Sequence, residues 1–121
     1  MRMIPSAGYQ YLASPYWNED PFVREARYLV TLEETALFLR EGLHVFSPIV
    51  HCHELAKLID LPKHAEFWKN YNYTMLVAAE RLWILMLPGW EVSKGIAGEI
   101  ATAKKAGLPI VHITPKRDPT E

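Results

Sequence analysis

The stretch that most restricts the fold runs from Leu82 to Gly107. Leu82-Trp83-Ile84-Leu85-Met86 is apolar without interruption and reads as a buried strand. Pro88-Gly89 breaks that strand. Ser93 is a good helix N-cap, so a helix is expected from Lys94 to about Ala106, closed by Gly107. At about 100° per residue, Ile96, Ile100 and Ala103 make one apolar stripe, and Lys104 and Lys105 fall away from it. Glu99 sits at the edge of the stripe, roughly 60° from Ile96 by the same spacing. Periodicity leaves two readings open. Glu99 either turns towards the crevice where open α/β sheets bind ligands, or runs past the rim as an exposed side chain.

The rest of the chain repeats the strand-then-helix rhythm. Tyr9 to Ala13 reads as a first strand, ended by Ser14-Pro15-Tyr16. Asp20 caps a helix with Pro21 at its first position. That helix is expected to reach Arg40, to bury Phe22, Ala26, Leu29, Val30, Ala36 and Leu37, and to end at Gly42. Leu43 to Phe46 is a second short strand, stopped by Ser47-Pro48. His51-Cys52-His53-Glu54-Leu55 then leads into a short helix reaching Ile59, followed by a turn at 60–63. A third, aromatic-rich helix covers about His64 to Ala79, with Phe67, Trp68, Tyr71 and Tyr73. Leu108 to Ile113 is a last strand, with Pro109 at its start. Residues 1–8 read as a loose arm and 115–121 as a polar tail. Alternating strands and helices imply a parallel sheet with helices on both faces. The 121 residues suffice for one domain, spanning 1–121, with a core at about 9–113.

Several functions are excluded by what the chain lacks. A formal net charge of -1 leaves no electrostatic footprint for nucleic acid or an anionic membrane surface. No apolar run approaches the roughly 18 residues of a membrane span, and the N-terminus lacks a signal-peptide core. One cysteine, Cys52, cannot form an intrachain disulfide and fits a reducing, cytoplasmic setting. His51-x-His53 resembles a metal pair, since the two share a face if the backbone is extended, but no third ligand accompanies them. No metal or other cofactor is therefore expected. The plainer reading is a polar loop where His51 and His53 meet a ligand phosphate or solvent. No Gly-x-Gly-x-x-Gly follows the first strand, and no Walker loop is present. Gly95-x-x-Gly98 in the first turns of a helix ordinarily reflects close packing against a strand. Nothing marks Cys52 as an activated thiolate.

Three elements together resemble a known family. Tyr11-Leu12-Ala13-Ser14-Pro15-Tyr16 closes the first strand, Val45-Phe46-Ser47-Pro48 closes the second, and Leu87-Pro88-Gly89-Trp90 leads to Ser93-x-Gly95-x-x-x-Glu99. Over residues 9 to 113 the chain looks like the nucleoside 2-deoxyribosyltransferase-like superfamily, and more narrowly like a small bacterial and phage branch of it. The resemblance implies a flavodoxin-like three-layer fold with a parallel sheet of four to five strands. It also implies chemistry on the N-glycosidic bond of a nucleoside or nucleotide. It makes Glu99 the nucleophile and Tyr11 its support. Ser93, where the transferases usually carry Asp, resembles the branch that hydrolyses nucleoside 5′-monophosphates, with Ser93 on the phosphate. Lys94 and Gly95 would add their backbone N–H groups at the helix start. The remaining expected substrate contacts are Ser14, Pro15, Tyr16, His51, His53 and Asn72. Asn72 stands where the family usually has Asp. An amide can bind a base edge but cannot act as a general acid. The expected function is release of free base from a nucleoside 5′-monophosphate by a cytoplasmic homodimer or higher homo-oligomer. A nucleotide-binding protein without turnover and a deoxyribosyltransferase are the alternatives.

Overall fold

The computed structural model describes residues 8–58, 61 and 65–116. The arm at 1–7, the helix end at Ile59, most of the turn at 60–63, His64 and the tail at 117–121 lie outside the described residues. The elements are β1 (Gln10–Ala13), α1 (Pro21–Arg40), β2 (Val45–Phe46), α2 (Pro48–Leu58), α3 (Ala65–Val77), β3 (Arg81–Leu85), α4 (Lys94–Ala106) and β4 (Ile110–Ile113). A single 3-10 turn at Trp90–Val92 precedes α4.

The four strands form one all-parallel sheet in the order β2-β1-β3-β4, with Tyr11 opposite both Phe46 and Leu82, and Leu82 opposite Ile110. This is the flavodoxin-like three-layer α/β arrangement. β1 lies at its centre, and Tyr11, Leu12 and Ala13 have no exposed surface. Alternate residues serve opposite layers. Tyr11, Ala13, Leu82 and Ile84 pack with Leu76, Ile96 and Ala103 of α3 and α4. Leu12 and Leu85 pack with Phe38 of α1 on the other face. Each fully buried aliphatic side chain is worth roughly 1.5–3 kcal/mol, so burial at the centre of the sheet is a major stabilising contribution. No helix among the described residues is long and apolar enough to cross a membrane.

Two sequence expectations are corrected. The first concerns α1. Its start agrees, with Asp20 accepting from the Phe22 N–H at 2.9 Å and Pro21 next to it. The buried face does not. Tyr28, Thr31, Glu34, Thr35 and Phe38 face inward, Val30 and Leu37 are half-buried, and Phe22, Ala26, Leu29 and Ala36 are exposed. The polar members can turn inward because each finds a partner. Thr35 donates to the Thr31 carbonyl at 2.7 Å, Thr31 meets the Ser14 hydroxyl at 3.4 Å, and Glu34 accepts from the Lys116 N–H at 3.0 Å.

The second concerns α2, which begins at Pro48 with no polar loop before it. Ser47-Pro48 ends the strand by starting the helix. The Ser47 hydroxyl accepts from the Val50 N–H at 3.1 Å, and proline suits the first turn. On a helix, two residues apart means opposite sides, so His51 and His53 share no face. His51 is exposed and stacks on Tyr71, whereas His53 is buried. Among the described residues no group of three or more His, Cys, Asp or Glu side chains gathers as metal ligands.

Candidate active site

The chain leaves β1 towards β2 on one side and returns through α2 and α3 to β3 on the other. The carboxyl ends of β1 and β3 therefore flank a topological switch point, where open α/β sheets hold ligands. A pocket of about 510 Å³ opens there. Three chain segments that follow strands build it: Ser14 and Tyr16 after β1, Pro48 and Ile49 after β2, and Gly89 to Gly95 after β3.

The β3 segment turns sharply because Gly89 takes a left-handed conformation, φ +95°. A Cβ there would lie 3.0 Å from an Arg27 guanidinium nitrogen. The other guanidinium arm donates to the carbonyls of Tyr16 and Trp17 at 3.3 and 3.1 Å, so Arg27 is anchored to the β1 segment and lies close beside Gly89. Ser93 then caps α4, accepting from the Ile96 N–H at 3.2 Å. Because its oxygen is the acceptor, the Ser93 O–H proton stays available for a ligand. The glycines of this turn do not pack on a strand as their spacing suggested. Both are exposed. A Cβ on Gly98 would meet nothing within 4 Å, and one on Gly95 would meet only the Ser93 hydroxyl at 3.8 Å.

Glu99 faces the pocket, one turn into α4. The open question of the helical wheel is thus decided in favour of the crevice. Its carboxylate accepts from the Tyr11 hydroxyl at 2.5 Å, a bond between the centre of the sheet and the helix that covers it. Burial raises the Glu99 pKa from 4.5 to about 7, with the Tyr11 hydrogen bond offsetting part of the rise. Burial, then the Glu99 charge, hold the Tyr11 phenol far above its ordinary range, so it stays a donor. The pair is a carboxylate poised to ionise near neutrality and fixed by a phenol that cannot compete for the negative charge.

Of the site residues expected from sequence, Ser14, Tyr16, Asn72, Ser93, Lys94, Gly95 and Glu99 line this pocket. Tyr11 reaches it through Glu99. Pro15, His51 and His53 are not in its wall. Pro15 is fully buried, and His51 is bound by the Tyr71 hydroxyl at 2.7 Å. His53 contacts Tyr16 and Glu25 instead. The wall residues that sequence reasoning missed come mostly from helices: Arg27 on α1, Cys52 on α2 and Trp68 on α3. Two were findable. Pro48 and Cys52 are four apart on one face once α2 starts at Pro48, and Trp68 lies four before Asn72 on α3. Cys52 is a buried thiol whose pKa burial pushes up to about 11, the reverse of an activated thiolate.

Fold and pocket define the class: a doubly wound α/β protein with an ionisable carboxylate, Glu99, at the switch point of its sheet. Within that class the chain belongs to the family described as Domain of unknown function (DUF1937), whose model matches residues 8–114. No curated protein matches it.

Proposed function

We propose that this protein is a nucleotide N-glycosidase of the nucleoside 2-deoxyribosyltransferase-like kind, releasing free base from a nucleoside 5′-monophosphate. The observation that carries the reading is the 2.5 Å bond from Tyr11 to Glu99, in a pocket that also holds the capped start of α4. A glycosidic carbon needs a carboxylate that is ionised, desolvated and held in place. Glu99 has these properties, with a pKa of about 7. It attacks the anomeric carbon and forms a glycosyl ester, which water resolves. Ser93, the N–H groups of Lys94 and Gly95, and the positive end of α4 receive the phosphate. Trp68 offers a face for the base, and the Asn72 amide an edge contact. The pocket falls within the usual 300–1,000 Å³ range of small-molecule sites.

The test is incubation of purified protein with a panel of ribo- and deoxyribonucleoside 5′-monophosphates, with detection of free base. The reading expects release from at least one nucleotide and little from the matching nucleoside. A second base added to the mixture would expose deoxyribosyl transfer as exchange. Asn72 favours one rival, a nucleotide-binding protein without turnover, because an amide in the wall supplies no proton. Binding of a nucleotide without base release from any would establish that rival. The protein is further proposed to act in the cytoplasm as a homodimer or higher homo-oligomer. Support for the second copy comes from α3, where Phe67, Tyr71 and Tyr73 are about half exposed.

A further inference from the structure

The glycosidase reading leaves a proton unaccounted for. A purine or pyrimidine leaves poorly as an anion, and Asn72 cannot protonate it. A second constellation, which starts in the same wall and runs back from it, is unused by the reaction so far. Tyr16 lines the pocket, and its hydroxyl lies 2.6 Å from His53 Nδ1. His53 Nε2 lies 2.9 Å from Glu25 Oε1. His53 is buried, stacked on Tyr28 at 4.1 Å and edge-on to Tyr16 at 5.6 Å, so its ring is fixed in orientation. Glu25 is 44% exposed at its side chain and lies 3.8 Å from Lys57, so the chain of groups runs from solvent to the pocket.

We propose that Tyr16 gives the departing base its proton, through a relay that runs back through His53 to Glu25. This inference rests on the glycosidase reading and supplies the acid that reading lacks. The distances suit the task. Glu25 accepts from Nε2–H, which leaves Nδ1 as the atom that exchanges a proton with Tyr16. The hydrogen bond from His53 holds the Glu25 carboxyl below its usual range, so Glu25 remains an anion that stabilises an imidazolium. Burial raises the Tyr16 pKa to about 12, so the phenol keeps its own proton until another arrives from His53.

The protons balance over one turnover. In the first half, a Glu99 oxygen bonds to the anomeric carbon and the carbon–nitrogen bond breaks, its electron pair staying on the base. The base nitrogen takes the Tyr16 proton, Tyr16 takes the Nδ1 proton of the His53 imidazolium, and His53 becomes neutral. In the second half, water attacks the anomeric carbon and the ester bond to Glu99 breaks. The water's proton passes to Tyr16 as Tyr16 returns its own to Nδ1. The imidazolium is restored, and the sum is nucleotide plus water giving free base and sugar phosphate.

The test compares Tyr16→Phe and Glu25→Gln with the wild type on two substrates. One is the nucleotide hydrolysed fastest in the panel. The other is the p-nitrophenyl glycoside of the same sugar phosphate, whose phenolate leaves without a proton. Enzyme is held in excess, so that a single turnover reads only the first bond cleavage. Tyr16→Phe keeps the ring, and Glu25→Gln changes a half-exposed side chain, so both variants should fold. Tyr16→Phe is expected to slow nucleotide cleavage by about 10²–10⁴-fold, the ordinary range for general acid catalysis, while the enzyme concentration that gives half the maximal rate stays unchanged and nitrophenolate release is largely kept. Glu25→Gln should show the same substrate dependence, more weakly. Equal losses on both substrates, or none on the nucleotide, would overturn the relay and leave the glycosidase reading standing. Absence of base release by the wild type would overturn both.

Discussion

Glu99 carries opposite consequences for activity and for stability. Glu99→Gln keeps the shape and removes the charge, so base release should fall by at least about 10³-fold while nucleotide binding persists. The wild-type rate should rise with pH through about 7 as Glu99 ionises, seen as the acidic limb of kcat/KM. Stability runs the other way. The folded pKa of Glu99 lies above its ordinary 4.5, so folding favours the protonated form. Below pH 4.5 the residue costs nothing. As pH rises through 7 the folded protein must hold a charged carboxylate in a partly desolvated place, and the stability it had is lost. Urea denaturation at pH 8 should therefore find Glu99→Gln more stable than the wild type, by up to about 3 kcal/mol, and at pH 4 the difference should vanish. An unchanged difference across that range would show that the fold does not raise the Glu99 pKa. Ser93 is simpler. Ser93→Ala should raise KM for a monophosphate about tenfold to a hundredfold, the worth of one hydrogen bond to a charged group. It should also remove about 1 kcal/mol of stability with the lost cap. A lowered melting temperature with monophosphate preference intact would leave Ser93 as a cap alone.

At the scale of the element, the approach to α4 and its first turns separate a glycine that the backbone needs from one it does not. Gly89→Ala places a side chain at φ +95° and against Arg27, and should cost about 1–3 kcal/mol. Gly98→Ala adds a methyl where nothing lies within 4 Å, on a helix, and should add about 0.5–1 kcal/mol. Thermal denaturation of the two variants distinguishes them by sign. The elements also show what local sequence can reveal. Strand ends, the Asp20-Pro21 start of α1 and the Ser93 cap are each written in a few adjacent residues, and these agree with the fold. The inward face of α1 was not legible. It depends on partners such as Ser14, His53 and Lys116 that are distant in sequence, and they allow Thr31 and Glu34 to be buried in place of Leu29. The start of α2 was legible but competes with a second meaning, since Ser-Pro ends a strand as readily as it caps a helix.

Across the whole molecule, the site divides in the same way. The pocket's strand-end half, from Ser14 to Tyr16 and from Ser93 to Glu99, could be read because short motifs carry it. In its helical half, local spacing links Cys52 to Pro48 and Trp68 to Asn72, whereas Arg27 depends on how α1 leans over the sheet, and no local pattern encodes that. The grouping of Tyr16, His53 and Glu25 is likewise a product of the fold, drawn from the β1 end, α2 and α1. Assembly belongs to this scale too. The half-exposed aromatics of α3 lead to the expectation of a dimer or larger species by light scattering at micromolar concentration, and a monomer would contradict it. The most direct test of the central claim is covalent capture. A 2-fluoro-arabinosyl nucleotide should react with the wild type to give a stable adduct, because the fluorine slows breakdown of the glycosyl ester. Mass spectrometry should place the added sugar phosphate on the peptide containing Glu99, with no adduct on Glu99→Gln. An adduct on another residue, or one that survives in Glu99→Gln, would contradict the assignment of Glu99 as nucleophile.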